Sequence, residues 1–578
     1  MPGPADFIQR TIHTLETGVP AVWIKRFLIL VVVVGLGLTY FMREFRGLAT
    51  SQAMDQAQIA RNIARGEFWK TNVIRPRAIG QLQARGKNVP QQIVHDTYHA
   101  PLPPFINAFA LYPVKASWKM SPREIIYSGD KAIVIAAMLL FFGSIVILYF
   151  LASRLFDQRL ALLACGLVLL CDAIWQYSLS GLPQMLLMFL FNATVYLLVR
   201  AVEAQYAGGS VGTWLAAAGV GFGLLALSHA LTIWIFLGAL VFCALFFVPR
   251  GWAAVLVLAG FSAIYLPWLV RNFVVCGHPF GVAFYSILDG IQHTEAGHMR
   301  RTWLDLQGFP FGAFRSKFLS NFSTQLGGIV GYLGWSVVAA TFFVSLLHSF
   351  KRSETAVVRW IVLAMWGGAV AGMTVYGITE EQGMAANQLH LIFIPIMTCY
   401  GLAFLLVQWN RLEIESNLAR IGFLTLLFII CALPMVFTIA LKEKKGRVHW
   451  PPYVPPYISV LNDWMEPTEV IASDMPWAIA WYADRRGLWI PDTIAAFNTY
   501  NDFLVVGAPV RGLYLTPISG SQNNLSDILK GEYKDWAMVI LRSVDLQKFP
   551  LKWAVLLGLE NECVFFSDRE RMQAPPAR

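Results

Sequence analysis

The residues best suited to chemistry in this chain are few, and they stand close together early on. Asp55 lies in the stretch Thr50 to Gly66, TSQAMDQAQIARNIARG, where Met54, Ala57, Ala60 and Ala64 recur at helical spacing and Arg61 and Arg65 take another face. That pattern predicts a short amphipathic helix lying flat at a membrane surface, with Thr50 or Ser51 as N-cap and Gly66 just past its end. Asp55 is expected in the first turn, where the positive end of the helix dipole favours an ionised carboxylate. Such a carboxylate has two readings: it caps the helix, or it takes a proton from a hydroxyl group. Further on, Tyr98-His99-Ala100-Pro101-Leu102-Pro103-Pro104 precedes the apolar stretch Phe105 to Tyr112. The clustered prolines argue against a regular helix over 101–104 and for a rigid bend carrying His99.

The elements that must position these residues follow from composition. A length of 578 residues would allow three or four soluble domains at about 150 residues each. Yet 56% of the chain is hydrophobic and only 14% charged, against about 25% charged in ordinary soluble domains. The expected fold class is an all-α polytopic membrane protein with a small C-terminal extracytoplasmic α/β domain. About eleven apolar runs reach spanning length, near 27–43, 130–152, 160–176, 182–199, 212–228, 230–248, 252–270, 326–347, 357–377, 389–408 and 420–440. The first run lacks a small-residue cleavage site and reads as a retained anchor.

Orientation comes from the short loops. Lys25, Arg26, Arg154, Arg159, Arg200, Arg250, Lys351, Arg352, Arg359, Arg411 and Arg420 fall on one side, assigned to the cytoplasm. The opposite short loops, at 177–181, 229 and 378–388, carry no Lys or Arg. The N-terminus is then inside, and the large segments 44–129, 271–325 and 441–578 all lie outside a plasma or inner membrane. The expected domains are a transmembrane unit over 1–440 and an extracytoplasmic unit over 441–578. The net charge of +10 fits loops facing lipid head groups or anionic ligands, with no nucleic acid partner. The seven cysteines form neither a disulfide framework nor a CxxC pattern. His293 and His298 do not share a helical face, so no metal site is expected.

The tail opens with a basic and Pro-rich linker, from Lys442 to Lys445 and from Trp450 to Tyr457. Strands are expected at 470–473, 487–490, 512–515, 537–541 and 563–566, with a helix over 476–484 capped by Asp474. Trp477 and the run Trp481 to Arg485 are read as packing first and acceptor contact second.

A carboxylate in a helix directly after the first span, followed by a His-Pro-Leu-type bend before the second, resembles the GT-C superfamily of membrane glycosyltransferases. The similarity is to the branch of protein O-mannosyltransferases, ArnT-like lipid A aminoarabinose transferases and Rgt-type bacterial members. Asp55 with Ala60-Arg61-Asn62 is similar to the Asp…Ala-Arg-Asn pattern, and His99-Ala100-Pro101-Leu102 to the bend with one proline lost. Pro267 to Asn272, followed by Gly277-His278-Pro279-Phe280, is similar to a segment at the end of the seventh span. The resemblance runs over residues 20–440.

It implies transfer of a sugar from a polyprenyl-phosphate carrier to a lipid, glycan or protein acceptor at the outer face, with membrane lipids around and no cofactor. A divalent metal is not indicated. Asp55 takes the family's catalytic position, as base for the acceptor hydroxyl. The leaving phosphate needs cationic or hydrogen-bonding partners. His99 is the first candidate, Arg271 the second, and Arg75, Arg300 and Arg301 are further cations without a motif. Many members carry a second acid between spans three and four. Here Ser180-Gly181-Leu182-Pro183-Gln184 has none, so Gln184 or Asp172 is the candidate acceptor or second-site residue. A transporter or flippase, and a non-catalytic relative, are the competing readings. The span centres are almost free of charge, which counts against transport.

Overall fold

Backbone that water cannot reach must satisfy its own hydrogen bonds, so long apolar runs become helices. The computed structural model describes residues 19–87, 94–291, 296–304, 308–381, 383–441, 453–520, 533–540, 549–557 and 563–571. After α1 (Val19–Glu44), the first large loop holds α2 (Ser51–Ala64), α3 (Pro76–Gln83) and α4 (Leu102–Leu111). The apolar body follows as α5 (Ser128–Leu155), α6 (Gln158–Leu169), α7 (Asp172–Ser178), α8 (Gln184–Tyr206), α9 (Gly212–Ser228), α10 (Thr232–Phe246) and α11 (Trp252–Cys276). It continues as α12 (Phe311–Gly327), α13 (Val337–Ser345), α14 (Ser353–Tyr376), α15 (Ile394–Arg411) and α16 (Asn417–Val436). The tail contributes α17 (Pro455–Trp464) and α18 (Ile494–Asp502).

Among the described residues, seven helices are long and apolar enough to cross a membrane. The run expected over 160–176 is the pair α6 and α7, bent by 63°. At the bend, the Asp172 carboxylate at the start of α7 accepts bonds from Tyr40 (2.5 Å), Gln176 (2.6 Å) and Thr438 (3.0 Å). The runs at 212–228 and 230–248 are the shorter apolar helices α9 and α10. The run at 326–347 is interrupted: a turn, Ile329–Tyr332, precedes α13, and Gly334 between them has φ +65°. Helices α9 and α11 approach closely through glycine, since a Cβ on Gly219 would lie 2.2 Å from the Val257 carbonyl oxygen. Small residues at helix contacts allow this where no hydrophobic effect drives association.

Two local expectations in the first loop need correction. Thr50 is the N-cap, its side chain accepting from the Ala53 N–H (3.4 Å), which puts Asp55 in the second turn of α2. Every residue from Ala53 to Ile63 is buried, so α2 is a core helix; Asp55, Gln58, Arg61 and Asn62 bond internal partners instead of facing an interface. The proline cluster does not exclude helix either. Pro103 and Pro104 occupy the first turn of α4, where a missing N–H costs nothing.

Among the described residues the sheet has six strands in the order β1-β5-β4-β6-β8-β7, with β1 at Val73–Ile74, β4 at Val470–Ser473, β5 at Arg486–Trp489, β6 at Val510–Leu515, β7 at Trp553–Leu557 and β8 at Cys563–Ser567. The strands β2 (Glu380–Glu381) and β3 (Met384–Ala385) form a separate hairpin. Pairing is parallel from β1 through β5 and β4 to β6, and antiparallel from β6 through β8 to β7. The edge strand β1 comes from the first loop, with Val73 opposite Gly487. The strand expected at 537–541 is instead a helical turn, Ala537–Ile540; Leu541 and residues 442–452 of the expected linker lie outside the described residues. A four-residue apolar run does not by itself separate a buried turn from a strand. The expected helix over 476–484 is a short turn, Pro476–Ala478, followed by a π-turn, Ile479–Ala483.

Candidate functional site

The Asp55 side chain is 2% exposed and tightly held. Its Oδ1 accepts from Gln58 Nε2 (3.0 Å), one helical turn on, and Gln58 also donates to Thr71 Oγ1 (2.7 Å). Its Oδ2 meets a guanidinium nitrogen of Arg75. Arg75 reaches back from just before α3, where β1 ends against the sheet. Its other nitrogen lies 3.9 Å from Asp96 Oδ1, and its guanidinium stacks on Tyr98 at 4.1 Å. His99 sits between the two carboxylates, Nε2 3.7 Å from Asp55 and Nδ1 3.5 Å from Asp96. Its backbone N–H donates to Asp96 Oδ2 at 2.8 Å, so Asp96 fixes the bend as well as the imidazole.

The electrostatics follow from this packing. Burial pushes the Asp96 carboxyl up, but His99 and Arg75 outweigh it and bring it down to about 2. Burial pushes Arg75 down, and Asp55 and Asp96 more than restore it. Burial pushes the Tyr98 phenol up. The cluster is therefore a buried array of two carboxylates and one guanidinium with an imidazole held between them.

His99 also lines a cavity of 340 Å³. Its lining is mixed: Gln52 and Gln56 from α2, Tyr98, His99, His229 and Asn387 are polar, and Leu231, Ile233, Trp234, Leu237, Phe280 and Phe284 are apolar. Leu237, Phe280 and Phe284 are 43%, 40% and 37% exposed.

The other sequence candidates are placed as follows. Arg271, at the end of α11, donates to the Asp96 carbonyl (2.5 Å) and to Asn272 Oδ1 (2.9 Å), and stacks on Trp268 at 4.7 Å. Arg75 and Arg271 thus both back the cluster, and neither lines the cavity. Asp172 is committed to the α6–α7 bend. Gln184 donates to the carbonyls of Ala385 (3.2 Å) and Ala386 (2.7 Å), holding the segment after the β2–β3 hairpin. Arg300 donates to the carbonyls of Ile490 (2.8 Å) and Pro491 (2.9 Å), and Arg301 pairs with Asp492 (3.0 Å). His298 pairs with Asp289 (3.3 Å), while His293 lies outside the described residues. Asp474 does not cap a helix; its Oδ2 accepts from the Thr516 N–H (3.0 Å), the Thr516 hydroxyl (2.8 Å) and the Ser519 N–H (3.2 Å).

Sequence reasoning missed Asp96, Gln58 and His229. Asp96 had a signal, its position three residues before His99 on the same bend. Gln58 had one too, one turn after Asp55. His229 had none beyond its place in a short loop between apolar runs.

The helical body and the site in its first large loop define a membrane protein of the GT-C fold. Residues 121–285 match the family model described as dolichyl-phosphate-mannose-protein mannosyltransferase. Among solved structures, ArnT from Cupriavidus metallidurans in the apo state is similar with a TM-score of 0.57 at 11% identity, over 94% of this chain and 98% of that one. The same protein bound to undecaprenyl phosphate gives 0.54 at 12% identity, over 94% and 99%. The oligosaccharyltransferase AglB from Archaeoglobus fulgidus, in complex with an inhibitory peptide and a dolichol-phosphate, gives 0.54 at 14%, over 89% and 72%. A search of curated protein sequences finds no match. At these identities the likeness speaks to the fold, and the expected GT-C fold is borne out.

Proposed function

We propose that this protein is a membrane glycosyltransferase that moves a sugar from a polyprenyl-phosphate carrier to an acceptor hydroxyl at the outer face of the membrane. The observation that carries the reading is the 340 Å³ cavity, whose lining joins hydrogen-bonding side chains, His99 among them, to an apolar and aromatic set. A prenyl phosphate needs both: a charged head calls for hydrogen-bond donors and a tail for apolar contact. The two similar structures with undecaprenyl phosphate and a dolichol-phosphate lend support.

In this reading His99, on the cavity wall, meets the donor phosphate, and Arg75 and Arg271 add positive field from behind it. The acceptor oxygen attacks the anomeric carbon, and the new C–O bond forms as the bond to phosphate oxygen breaks. The acceptor's proton passes to the Asp55 carboxylate, next to His99. The electron pair leaves on the polyprenyl phosphate. Gln58 and Arg75 fix the Asp55 orientation, which matters because misplacement by about 1 Å can cost 100-fold in rate.

The test is transfer of labelled sugar from a synthetic polyprenyl-phosphate donor by the purified full-length chain. Asp55→Asn is expected to lower turnover at least 100-fold while undecaprenyl phosphate binding persists. Turnover undiminished in Asp55→Asn would remove Asp55 from the chemistry.

A further inference from the structure

Next to the first cavity lies a second, of 520 Å³, and Tyr376 at the end of α14 belongs to the walls of both. Their linings differ in kind. The second presents Asp289, Ser316, Lys317, Ser320, Asn321 and Thr379, with Ala313, Tyr376 and Ile378 as its apolar side chains. Resting on the glycosyltransferase reading, we propose that this cavity is the acceptor site and that the acceptor group it takes is a saccharide.

Helix α12 supplies most of the polar lining, with Lys317 and Asn321 half-buried and Ser316 and Ser320 exposed. Ser316, Lys317, Ser320 and Asn321 form one stripe of it and face the cavity. Phe318, Leu319, Phe322 and Leu326 lie elsewhere on the helix and are exposed at 37–54%. The helix thus sets hydroxyl, amide and ammonium groups along one stripe, with aromatic and aliphatic side chains on another.

The groups in the chamber are matched to vicinal hydroxyls. Lys317 gives one of its three N–H groups to the Ile287 carbonyl (3.0 Å), and Asn321 gives its amide nitrogen to the Thr374 carbonyl (3.0 Å). Both side chains are thereby oriented, with hydrogen-bonding capacity left over. Asp289, placed by His298 at 3.3 Å, adds a carboxyl, and Tyr376 adds a ring face. Carboxyl, amide, hydroxyl and ammonium groups around one aromatic edge serve sugar hydroxyls, which both donate and accept. An acyl or prenyl chain would leave these polar groups without partners. The volume lies in the range of about 300–1,000 Å³ typical of small-molecule sites. The shared Tyr376 wall sets an acceptor here beside a sugar carried in the first cavity.

Saturation-transfer NMR on the detergent-solubilised full chain tests this, with methyl α-D-mannopyranoside, methyl β-D-glucopyranoside and methyl β-D-galactopyranoside as probes. At least one glycoside is expected to saturate. Ser320→Trp, which fills the chamber, and the milder Asn321→Ala are each expected to cut that signal at least five-fold, with undecaprenyl phosphate binding unchanged. Glycoside signals equal in wild type and both variants overturn the proposal, as does silence from all three glycosides in protein that binds undecaprenyl phosphate. Glycoside binding that is lost in the variants, in protein that never binds undecaprenyl phosphate, supports the saccharide site and overturns the donor reading instead.

Discussion

Asp55 is useful because of what surrounds it, and the same holds for each charged group nearby. An isolated buried carboxylate would neutralise itself by taking a proton. Here Arg75 spans Asp55 and Asp96, and His99 sits 3.7 Å from the first and 3.5 Å from the second. Asp96 bonds the His99 backbone N–H, lies 3.5 Å from His99 Nδ1 and 3.9 Å from Arg75, so its work is to orient the imidazole and share Arg75. Asp96→Asn is therefore expected to lower kcat about 10- to 100-fold, the usual cost of losing a group that orients a ligand or base, with the KM for donor changed far less. Separate kcat and KM measurements with a labelled donor decide this; an effect on KM alone would mean Asp96 serves binding. Asp474 makes a different, thermodynamic prediction. Burial raises its carboxyl to about 6, against the bonds from Thr516 and Ser519. The folded chain then binds more protons than the unfolded one between about pH 4 and 6, so this group's contribution to stability falls as pH rises through that window. The difference in melting temperature between wild type and Asp474→Asn should drift across pH 4–6 and be flat from pH 7 to 8. A flat difference throughout would show that the carboxyl is ionised in the fold at all those pH values.

Helix α2 carries the site, and its own anchoring lies outside it. At its first residue, Ser51 N–H and Oγ donate to Glu381 Oε2 at 2.8 and 2.7 Å, and Glu381 Oε1 accepts from Tyr453 (2.7 Å). A carboxylate there gains from the helix dipole as well as from two charge-assisted bonds. The β2–β3 hairpin that presents Glu381 is held at its other end by Tyr177 and Gln184, both bonded to Ala385. Glu381→Gln is expected to cost about 1–2 kcal/mol, from the dipole and charge-assisted terms together. Thermal unfolding of Glu381→Gln, Tyr453→Phe and the double variant gives the coupling, and strict additivity would show that the two do not act as a unit. How legible such elements were depends on how local their causes are. The apolar runs, the Thr50 cap, the Gly66 end of α2 and most strands rest on nearby residues, and the sequence reading placed them well. Burial of α2 on all sides depends on partners hundreds of residues away, so an amphipathic pattern was read as an interface. The bend between α6 and α7 depends on Asp172 meeting Tyr40 and Thr438, which no window of local sequence contains. At the site, Asp55 and His99 were legible from type and order, whereas the Arg75 bridge and the second cavity required the fold.

The molecule as a whole joins its first loop to its tail by more than proximity. Strand β1 is the edge of the tail's sheet, and α2 is clamped from the same side. Arg61, 1% exposed, donates to the carbonyls of Trp481 (2.8 Å) and Ala480 (2.6 Å) and pairs with Asp484 (2.9 Å), which Arg65 also grips at 2.8 Å. The apolar body holds the same segment from below. Asp130, in the first turn of α5, accepts from Trp481 Nε1 (2.7 Å) and from the Tyr482 hydroxyl (3.1 Å). The π-turn Ile479–Ala483 is thus pinned between the Asp55 helix and the helix body, which is why its residues pack rather than meet solvent. It follows that the tail is a structural partner of the site and not an appended module. Arg61→Leu tests this, because it strands two buried carbonyls while Arg65 keeps Asp484 paired, at a cost of about 1–3 kcal/mol for each carbonyl. The expected outcome is faster proteolytic cutting between 453 and 571 together with a fall in transfer rate, although Arg61 touches neither Asp55 nor the 340 Å³ cavity. If the tail loosens and the transfer rate holds, α2 keeps its position without the sheet, and the coupling of loop to tail has no part in catalysis.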